Sequence, residues 1–377
     1  MAGFGRIQVV VGGQYGSEGK GAVCKWLAQE SPGLVCARVG GPNAGHTAYD
    51  GKGRGWKLQQ VPVGALVQDG PLVIGAGSEV DPLLLGREIC ALEEAGIPVA
   101  SRLLIDQSAT ILTEQHGWAE TEGLAHGEGG LSRRIGSTGK GVGAARADRI
   151  WRKAFTVSSD LQVRGETGST WKVWDPDHGA VAARIPVTDT ALYLEGALAD
   201  GRMVQIEGTQ GYGLGLHTEN YPFVTSGDCR AIDMLAQAGV SPWSVPEDHL
   251  EVWVVFRTFP IRVAGTSGPL RGETTWEELG QPPEITTVTR KQRRVGAWDH
   301  ELARAALHAT GAYTYRGATH VALLFLDYQF PELKGCLDPH RVEQVAGEFL
   351  AQRENELEHQ IRLVGTGPNH IVRRKNR

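Results

Sequence analysis

Short β-branched runs, each closed by glycine or a polar turn, alternate along the chain with stretches of helical periodicity. Arg6-Ile-Gln-Val-Val-Val11 is such a run and reads as a buried strand. A glycine-rich turn, Gly12 to Gly21, follows it, and then a helix over 22–29. The pattern predicts further strands over 34–39, 72–75 and 103–105, with a helix over 82–94 before the third. Later strands fall at 203–206, 250–256 and 320–326, and a helix over 301–310 precedes the last. Strands alternating with helices predict an α/β fold, a mainly parallel central sheet flanked by helices. No internal repeat or low-complexity linker divides the sequence, so one domain over 1–377 is expected.

Composition narrows the function classes. The chain has 377 residues, 41% apolar and 21% charged, ordinary values for a globular protein. A net charge of −5 implies no general attraction to nucleic acid or acidic membranes. The basic stretch Arg373 to Arg377 reads as a solvated tail. Five cysteines without close spacing argue against a disulfide framework or zinc site and fit a reducing, cytoplasmic location. No run of about 18 apolar residues suggests a membrane span. Many of the 51 glycines cluster at strand ends, where α/β folds bind ligands.

The first such cluster carries chemistry. A strand, a glycine-rich turn ending Gly19-Lys20-Gly21 and a helix together form a phosphate-binding arrangement. Backbone amides face the anion and the lysine adds charge. It is not a Walker A sequence. Gln14 stands at the position of the first glycine, and Gly21 replaces the Ser/Thr that would hold magnesium.

The whole string Val11-Gly-Gly-Gln-Tyr-Gly-Ser-Glu-Gly-Lys-Gly21 resembles the first signature of adenylosuccinate synthetases. Further blocks resemble that family in the same order: Gly40-Gly-Pro-Asn-Ala-Gly-His-Thr47, Ile135-Gly-Ser-Thr-Gly-Lys-Gly-Val-Gly143 and Glu207-Gly-Thr-Gln-Gly211. Tyr221-Pro-Phe-Val-Thr-Ser226, a degraded aspartate loop from Thr289 to Gly296, and Gly365-Thr-Gly-Pro368 complete the series. The resemblance implies the P-loop-NTPase-like adenylosuccinate synthetase fold and a magnesium-dependent ligase. In that reaction a purine 6-oxygen is phosphorylated by a nucleoside triphosphate and then displaced by the amine of L-aspartate. Phosphorylation turns a poor leaving group into a good one, so the site needs an anion cradle, magnesium and a donor to the oxygen.

Carried over position by position, the resemblance makes His46 the support for charge at the 6-oxygen and Lys20 the contact to the transferred phosphoryl group. Gly16, Gly19, Lys20, Gly21, Asp327, Gly367 and Pro368 match residues around the triphosphate. Asn43, Thr138, Gln210, Thr225 and Val263 match the monophosphate site, with Thr138 and Thr225 on the 5′-phosphate. Arg152 matches an arginine supplied to that phosphate across a homodimer interface, although its flanks suit a plain surface residue equally. Thr289, Lys291 and Arg293 match the aspartate loop, and the Gly45 carbonyl and position 17 match magnesium ligands.

Three departures matter. Ser17 stands where the family has an aspartate that takes the proton from ring nitrogen 1. A serine cannot act as that base, but it leaves room beside carbon 2, where guanine carries an amino group. The viral branch of the family that makes 2-aminoadenine DNA has this change and acts on dGMP. Lys291, with Gln292 beside it, replaces an arginine near the ribose 2′-hydroxyl, compatible with a deoxy substrate. Phe325 replaces the lysine that stacks on guanine, or simply fills the core beside Leu324 and Leu326. Strict GTP use is thereby loosened in favour of ATP or dATP. Three readings stand at this point: a dGMP-dependent ligase, an ordinary ligase of IMP with GTP, and a non-catalytic nucleotide-binding relative.

Overall fold

The computed structural model describes residues 4–123, 130–165, 169–286, 291–315 and 317–374. Eleven strands form one large sheet. In chain order they are β1 (Arg6–Gly12), β2 (Val35–Arg38), β3 (Leu72–Ile74), β4 (Leu103–Asp106), β5 (Thr170–Trp174) and β6 (Val181–Thr188). They continue with β7 (Met203–Glu207), β8 (Leu250–Arg257), β9 (Thr319–Leu324), β10 (Ile361–Gly367) and β11 (His370–Arg373). Their order across the sheet is β11-β10-β9-β8-β1-β7-β2-β3-β4-β6-β5. Every interior pairing is parallel, while β10–β11 and β5–β6 pair antiparallel at the two edges.

Alternation places successive side chains of the central strands in two cores. Ile7, Val9 and Val11 of β1 join Val252, Val254 and Phe256 of β8 on one face. Val10, Trp253 and Val255 join the core on the other, which helix α1 (Lys20–Gln29) covers with Val23, Cys24, Leu27 and Ala28. Burial on both faces explains why these strands read as continuous apolar runs. Helix α2 (Pro82–Glu94) starts as its sequence predicts, with the Asp81 carboxylate accepting the amides of Leu83 and Leu84 and a proline in the first turn.

The expected strands and helices are present, with shifts at their ends. Helix α1 begins at Lys20, inside the glycine turn. Strand β9 stops at Leu324 because Phe325 adopts left-handed backbone angles, φ 63 and ψ 34, and opens the short helix Leu326–Gln329. The edge hairpins and the 19-residue helix Pro339–Leu357 were not anticipated. Strand β6 carries alternating exposed positions and a proline, the pattern of an edge rather than a buried strand.

Chain order reverses around β1. The chain leaves it for β2, β3 and β4 on one side, returns through β7, and then builds β8, β9 and β10 on the other. Such a switch point opens a crevice at the carboxyl ends of the strands. Helix α1 packs close to the hairpin strand His46–Tyr49, and a Cβ on Gly21 would lie 2.9 Å from both the His46 Cβ and the Thr47 carbonyl oxygen. This contact excludes the Ser/Thr of a Walker A loop. Gly21→Ser is therefore expected to cost about 1–3 kcal/mol of stability. Thermal melts of the two proteins check it; an unchanged Tm would contradict the close packing.

Candidate functional site

The glycine turn after β1 forms an anion cradle that already holds a carboxylate. Glu18 is fully buried, and its Oε1 accepts the amides of Gln14 (3.1 Å) and Gly16 (2.8 Å). Its Oε2 accepts Lys20 Nζ at 2.8 Å, and the same ammonium donates to the carbonyl of Gln210. Glycine is required around it: a Cβ on Gly12 or Gly211 would stand 2.5 or 2.3 Å from the Glu18 carboxylate oxygens. No side chain caps α1; the Ala22 amide turns to the Gly19 carbonyl at 3.0 Å, which leaves the Lys20 and Gly21 amides to face an anion.

Beside the cradle lies a buried three-residue cluster. Arg38 ends β2 and Glu207 ends β7, and the two are register partners in adjacent strands. Arg38 Nη1 donates to Glu207 Oε1 at 2.5 Å, and its Nη2 donates to the Ala44 carbonyl at 2.7 Å, tying down the 40–45 loop. His46 Nδ1 lies 2.5 Å from the same Glu207 oxygen, while Glu207 Oε2 accepts the Val63 amide at 2.8 Å. Burial opposes ionisation of Glu207, but Arg38 and His46 outweigh it and hold its carboxyl below its ordinary pKa.

Burial and then Arg38 push His46 the other way, down to about 4, although Glu207 favours its charged form. The imidazole is therefore neutral near pH 7. A carboxylate can only accept, so the proton sits on Nδ1 and the lone pair on Nε2. Nε2 is buried and has no partner among the described residues. An unpaired buried acceptor at a strand-end crevice is a place prepared for a ligand.

Ser17 sits on the outer rim of the turn at φ 59, exposed. Its Oγ accepts Arg293 Nη1 at 2.5 Å. Arg293 lies 3.9 Å from Glu284, which is more tightly engaged by the fully buried Arg257 through contacts of 2.5 and 3.2 Å. The Arg257 guanidinium also covers the Phe325 ring at 4.0 Å, and Tyr328 meets that ring edge-on at 5.3 Å. Phe325 thus packs against the core on one side and against a cation on the other, rather than only filling the core. The neighbouring Arg294 is committed elsewhere, its guanidinium bonded to Glu273 at 2.5 and 2.6 Å.

Around β1 the remaining residues fall into two groups. Asn43, Gln210 and Thr225 line one cleft with Arg146 and Asp228. Gln210 is held at φ 63, a conformation uncommon for its type at a position gripped by Lys20. On the other side, Pro368 lines a second cleft with Lys25, Trp26 and Tyr49, next to Gly367 at the end of β10. Asp327, in the helical turn after β9, is buried, which raises its carboxyl pKa.

Thr138 lies in the loop before the helix Val142–Ile150, and Val263 follows the short strand Ile261–Arg262 and accepts the Ser267 hydroxyl. Lys291 is exposed, its amide donating to Thr286 Oγ1 at 2.9 Å. Arg152 is an exposed residue at φ 60, its Nη1 donating to the Ile150 carbonyl at 2.7 Å, and is not among the cleft residues. Thr289 lies outside the described residues. Sequence reasoning missed Arg38, Glu207 and Arg146 as side chains of the site, although Glu207 opened one of the quoted blocks. The signal available was a charged residue ending an otherwise apolar strand, as Glu207 does in Met203–Glu207 and Arg38 in Val35–Arg38.

The family model for adenylosuccinate synthetase matches residues 9–168 and 177–359. The adenylosuccinate synthetase of Pyrococcus horikoshii is 35% identical over 374 residues, covering 98% of each chain. That of Methanocaldococcus jannaschii is 34% identical over 364 residues, covering 96% of this chain and 94% of its own. Among solved structures, cyanophage S-2L succinoaminodeoxyadenylate synthetase (PurZ), bound to dGMP and to dATP as an energy donor, superposes with a TM-score of 0.74 at 26% identity. The alignment covers 99% of this chain and 96% of that one. Fully ligated adenylosuccinate synthetase of Plasmodium falciparum shares the fold, with a TM-score of 0.78 at 19% identity over 98% of this chain and 100% of its own. The chain belongs to the adenylosuccinate synthetase family, ligases that condense aspartate with a purine nucleotide.

Two outcomes follow from the His46 cluster. Glu207→Gln keeps shape but removes the charge that orients His46, so kcat should fall by roughly 10²–10³-fold. The buried Arg38 then lacks its anion, and the Tm should fall as well; unchanged kcat in the folded variant would refute the orienting role. On acidification from pH 6.5 toward 4, the unfolded chain takes up a proton at His46 that the folded chain refuses. Stability should therefore fall across this window, less steeply in His46→Gln, as read by denaturant unfolding at several pH values.

Proposed function

We propose that this family member condenses L-aspartate with dGMP, through a 6-phosphoryl intermediate, to give N6-succino-2-amino-dAMP, the precursor of 2-aminoadenine DNA. The observation that carries the reading is Ser17: a small neutral hydroxyl, held by Arg293, at the rim where the family places a carboxylate. Because Oγ accepts from Arg293, the hydroxyl proton is left to donate to a purine acceptor. The absent carboxylate leaves space at carbon 2 for an exocyclic amine. The similarity to the PurZ structure with dGMP and dATP supports the same substrate. The Pyrococcus and Methanocaldococcus similarities favour IMP instead, which makes the ordinary reaction the second reading.

In the first step the purine 6-oxygen attacks the terminal phosphorus of the triphosphate. The O–P bond to the nucleoside diphosphate breaks, and the proton on nitrogen 1 is lost. That proton passes to water or to the phosphoryl group itself, and His46, whose Nε2 has no partner among the described residues, is the side chain that meets the 6-oxygen and its phosphoryl group. Lys20 and the α1 amides bind the phosphates, with Gly16, Gly19 and Gly21 allowing close approach. In the second step the aspartate amine attacks carbon 6 and phosphate departs with the oxygen. Arg293, together with Thr289 and Lys291, binds the aspartate carboxylates.

Asn43, Gln210 and Val263 hold the purine nucleoside, and Thr138 and Thr225 its 5′-phosphate. Magnesium fits a set of hard oxygens: the Gly45 carbonyl accepts no hydrogen bond from a described residue, and Ser17 offers a neutral hydroxyl. When bound there, magnesium would supply charge neutralisation for the triphosphate. The donor is ATP or dATP, because the Phe325 face toward Arg257 is occupied and no lysine stacks there. Asp327, Gly367 and Pro368 surround its base. Arg152 reaches the 5′-phosphate from the partner chain of a homodimer.

The test is direct. The protein with magnesium, aspartate and ATP should release phosphate and form the succinyl product with dGMP. Turnover on IMP and none on dGMP would establish the second reading. Ser17→Asp should lower kcat/KM for dGMP by about 10-fold or more, and dGMP kinetics indifferent to that change would remove Ser17 from the specificity argument.

A further inference from the structure

The cleft lined by Asn43, Gln210 and Thr225 contains one cation, Arg146, from the helix Val142–Ile150. Two sides of its guanidinium are fixed. Nε donates to Glu79 Oε1 at 2.7 Å, and Nη2 donates to Glu79 Oε2 at 3.3 Å and Gln237 Oε1 at 3.4 Å. Glu79 is itself 5% exposed, so the pair forms a rigid buried base. Burial disfavours the charge on Arg146, but Glu79 outweighs this and raises its pKa.

The third side is different. Nη1 has no partner among the described residues and lies against Gly227, where a Cβ would stand only 1.8 Å away. The chain has kept backbone here with no side chain, which gives the guanidinium its place in the cleft. The other charged residue lining the cleft, Asp228, turns its carboxylate to His217, with contacts of 2.5 Å to Nδ1 and 3.2 Å to the amide. The cleft therefore offers one unpaired guanidinium N–H group, Nη1 of a guanidinium already anchored by Glu79, beside neutral groups that include the Asn43 amide and the Thr209 and Thr225 hydroxyls. A preorganised guanidinium edge with neighbouring neutral polar groups suits a phosphomonoester dianion.

We propose that Arg146 binds the 5′-phosphate of the purine monophosphate from within the same chain. The proposal rests on the reading that this cleft takes a purine monophosphate, but not on which purine. It gives the site a cation of its own, in contrast to Arg152, whose exposed guanidinium bonds to the Ile150 carbonyl.

Calorimetric titration of the full chain with dGMP, IMP and the phosphate-free nucleosides tests it. Arg146→Met should be combined with Glu79→Gln, so that no buried carboxylate is stranded. This double variant should weaken binding of the monophosphate that the wild type accepts by about 10- to 100-fold. Nucleoside and dATP binding should be unchanged. Gly227→Ala keeps every charge and needs no unusual backbone angle, yet it displaces Nη1; monophosphate affinity should fall in the same direction. Undiminished monophosphate affinity in either folded variant overturns the role of Arg146. A wild type that binds neither dGMP nor IMP overturns the monophosphate reading, and this inference with it.

Discussion

A single buried carboxylate organises the centre of the molecule. Glu207 receives Arg38 from the neighbouring strand, His46 from the hairpin beyond it, and the Val63 amide. Leaving a charge like this unpaired in the interior costs several kcal/mol, so each partner is held in place by the need to satisfy it. Arg38 passes the constraint outward by binding the Ala44 carbonyl and fixing the loop that carries Asn43 and Gly45. His46 is thereby locked in one tautomer with Nε2 free. Stability and chemistry share these atoms, and the site is preorganised by the interaction that holds three sheet elements together.

The sheet topology turns this into a two-sided site. Because the chain order reverses at β1, loops after β2 and β7 gather on one side and loops after β8, β9 and β10 on the other. Lys20 stands at the seam, joined to Glu18 of its own turn and to the Gln210 carbonyl from the β7 side. The Glu18 carboxylate satisfies the Gln14 and Gly16 amides from inside the turn, so these donors are not stranded when the cradle is without an anion.

The central strands were legible in the sequence because burial on both faces leaves largely apolar runs such as those in Arg6–Gly12 and Thr319–Leu324. Strands near the sheet margin carry no such mark: Val181–Thr188, next to the edge strand Thr170–Trp174, alternates and contains a proline, and it became visible only through its pairing. Glycine-rich turns were equally legible, since Gly12, Gly21 and Gly211 answer steric demands that no other residue meets. The charged members of the site were harder to see. Arg38 and Glu207 are 169 positions apart, and only the parallel register of β2 and β7 makes them neighbours. Arg146 sits on a short helix among other arginines, and its meaning depends on Glu79 and Gly227, both distant in sequence.

Ser17 changes the charge balance of the rim as well as its shape. Glu284 is shared between Arg257, which binds it at 2.5 Å, and Arg293, which stays 3.9 Å away. With a carboxylate at position 17, Arg293 would be neutralised before any substrate arrived. With serine it keeps most of its charge, and burial lowers its pKa by making that charge costly. A carboxylate bound at that guanidinium would relieve the cost. His46 is neutral, buried and unpaired at Nε2, and it is oriented by a carboxylate that is already committed to Arg38. The rim at position 17 thus carries a neutral hydroxyl, and the fixed negative charge at the centre lies in the buried Glu207, committed to Arg38 and His46.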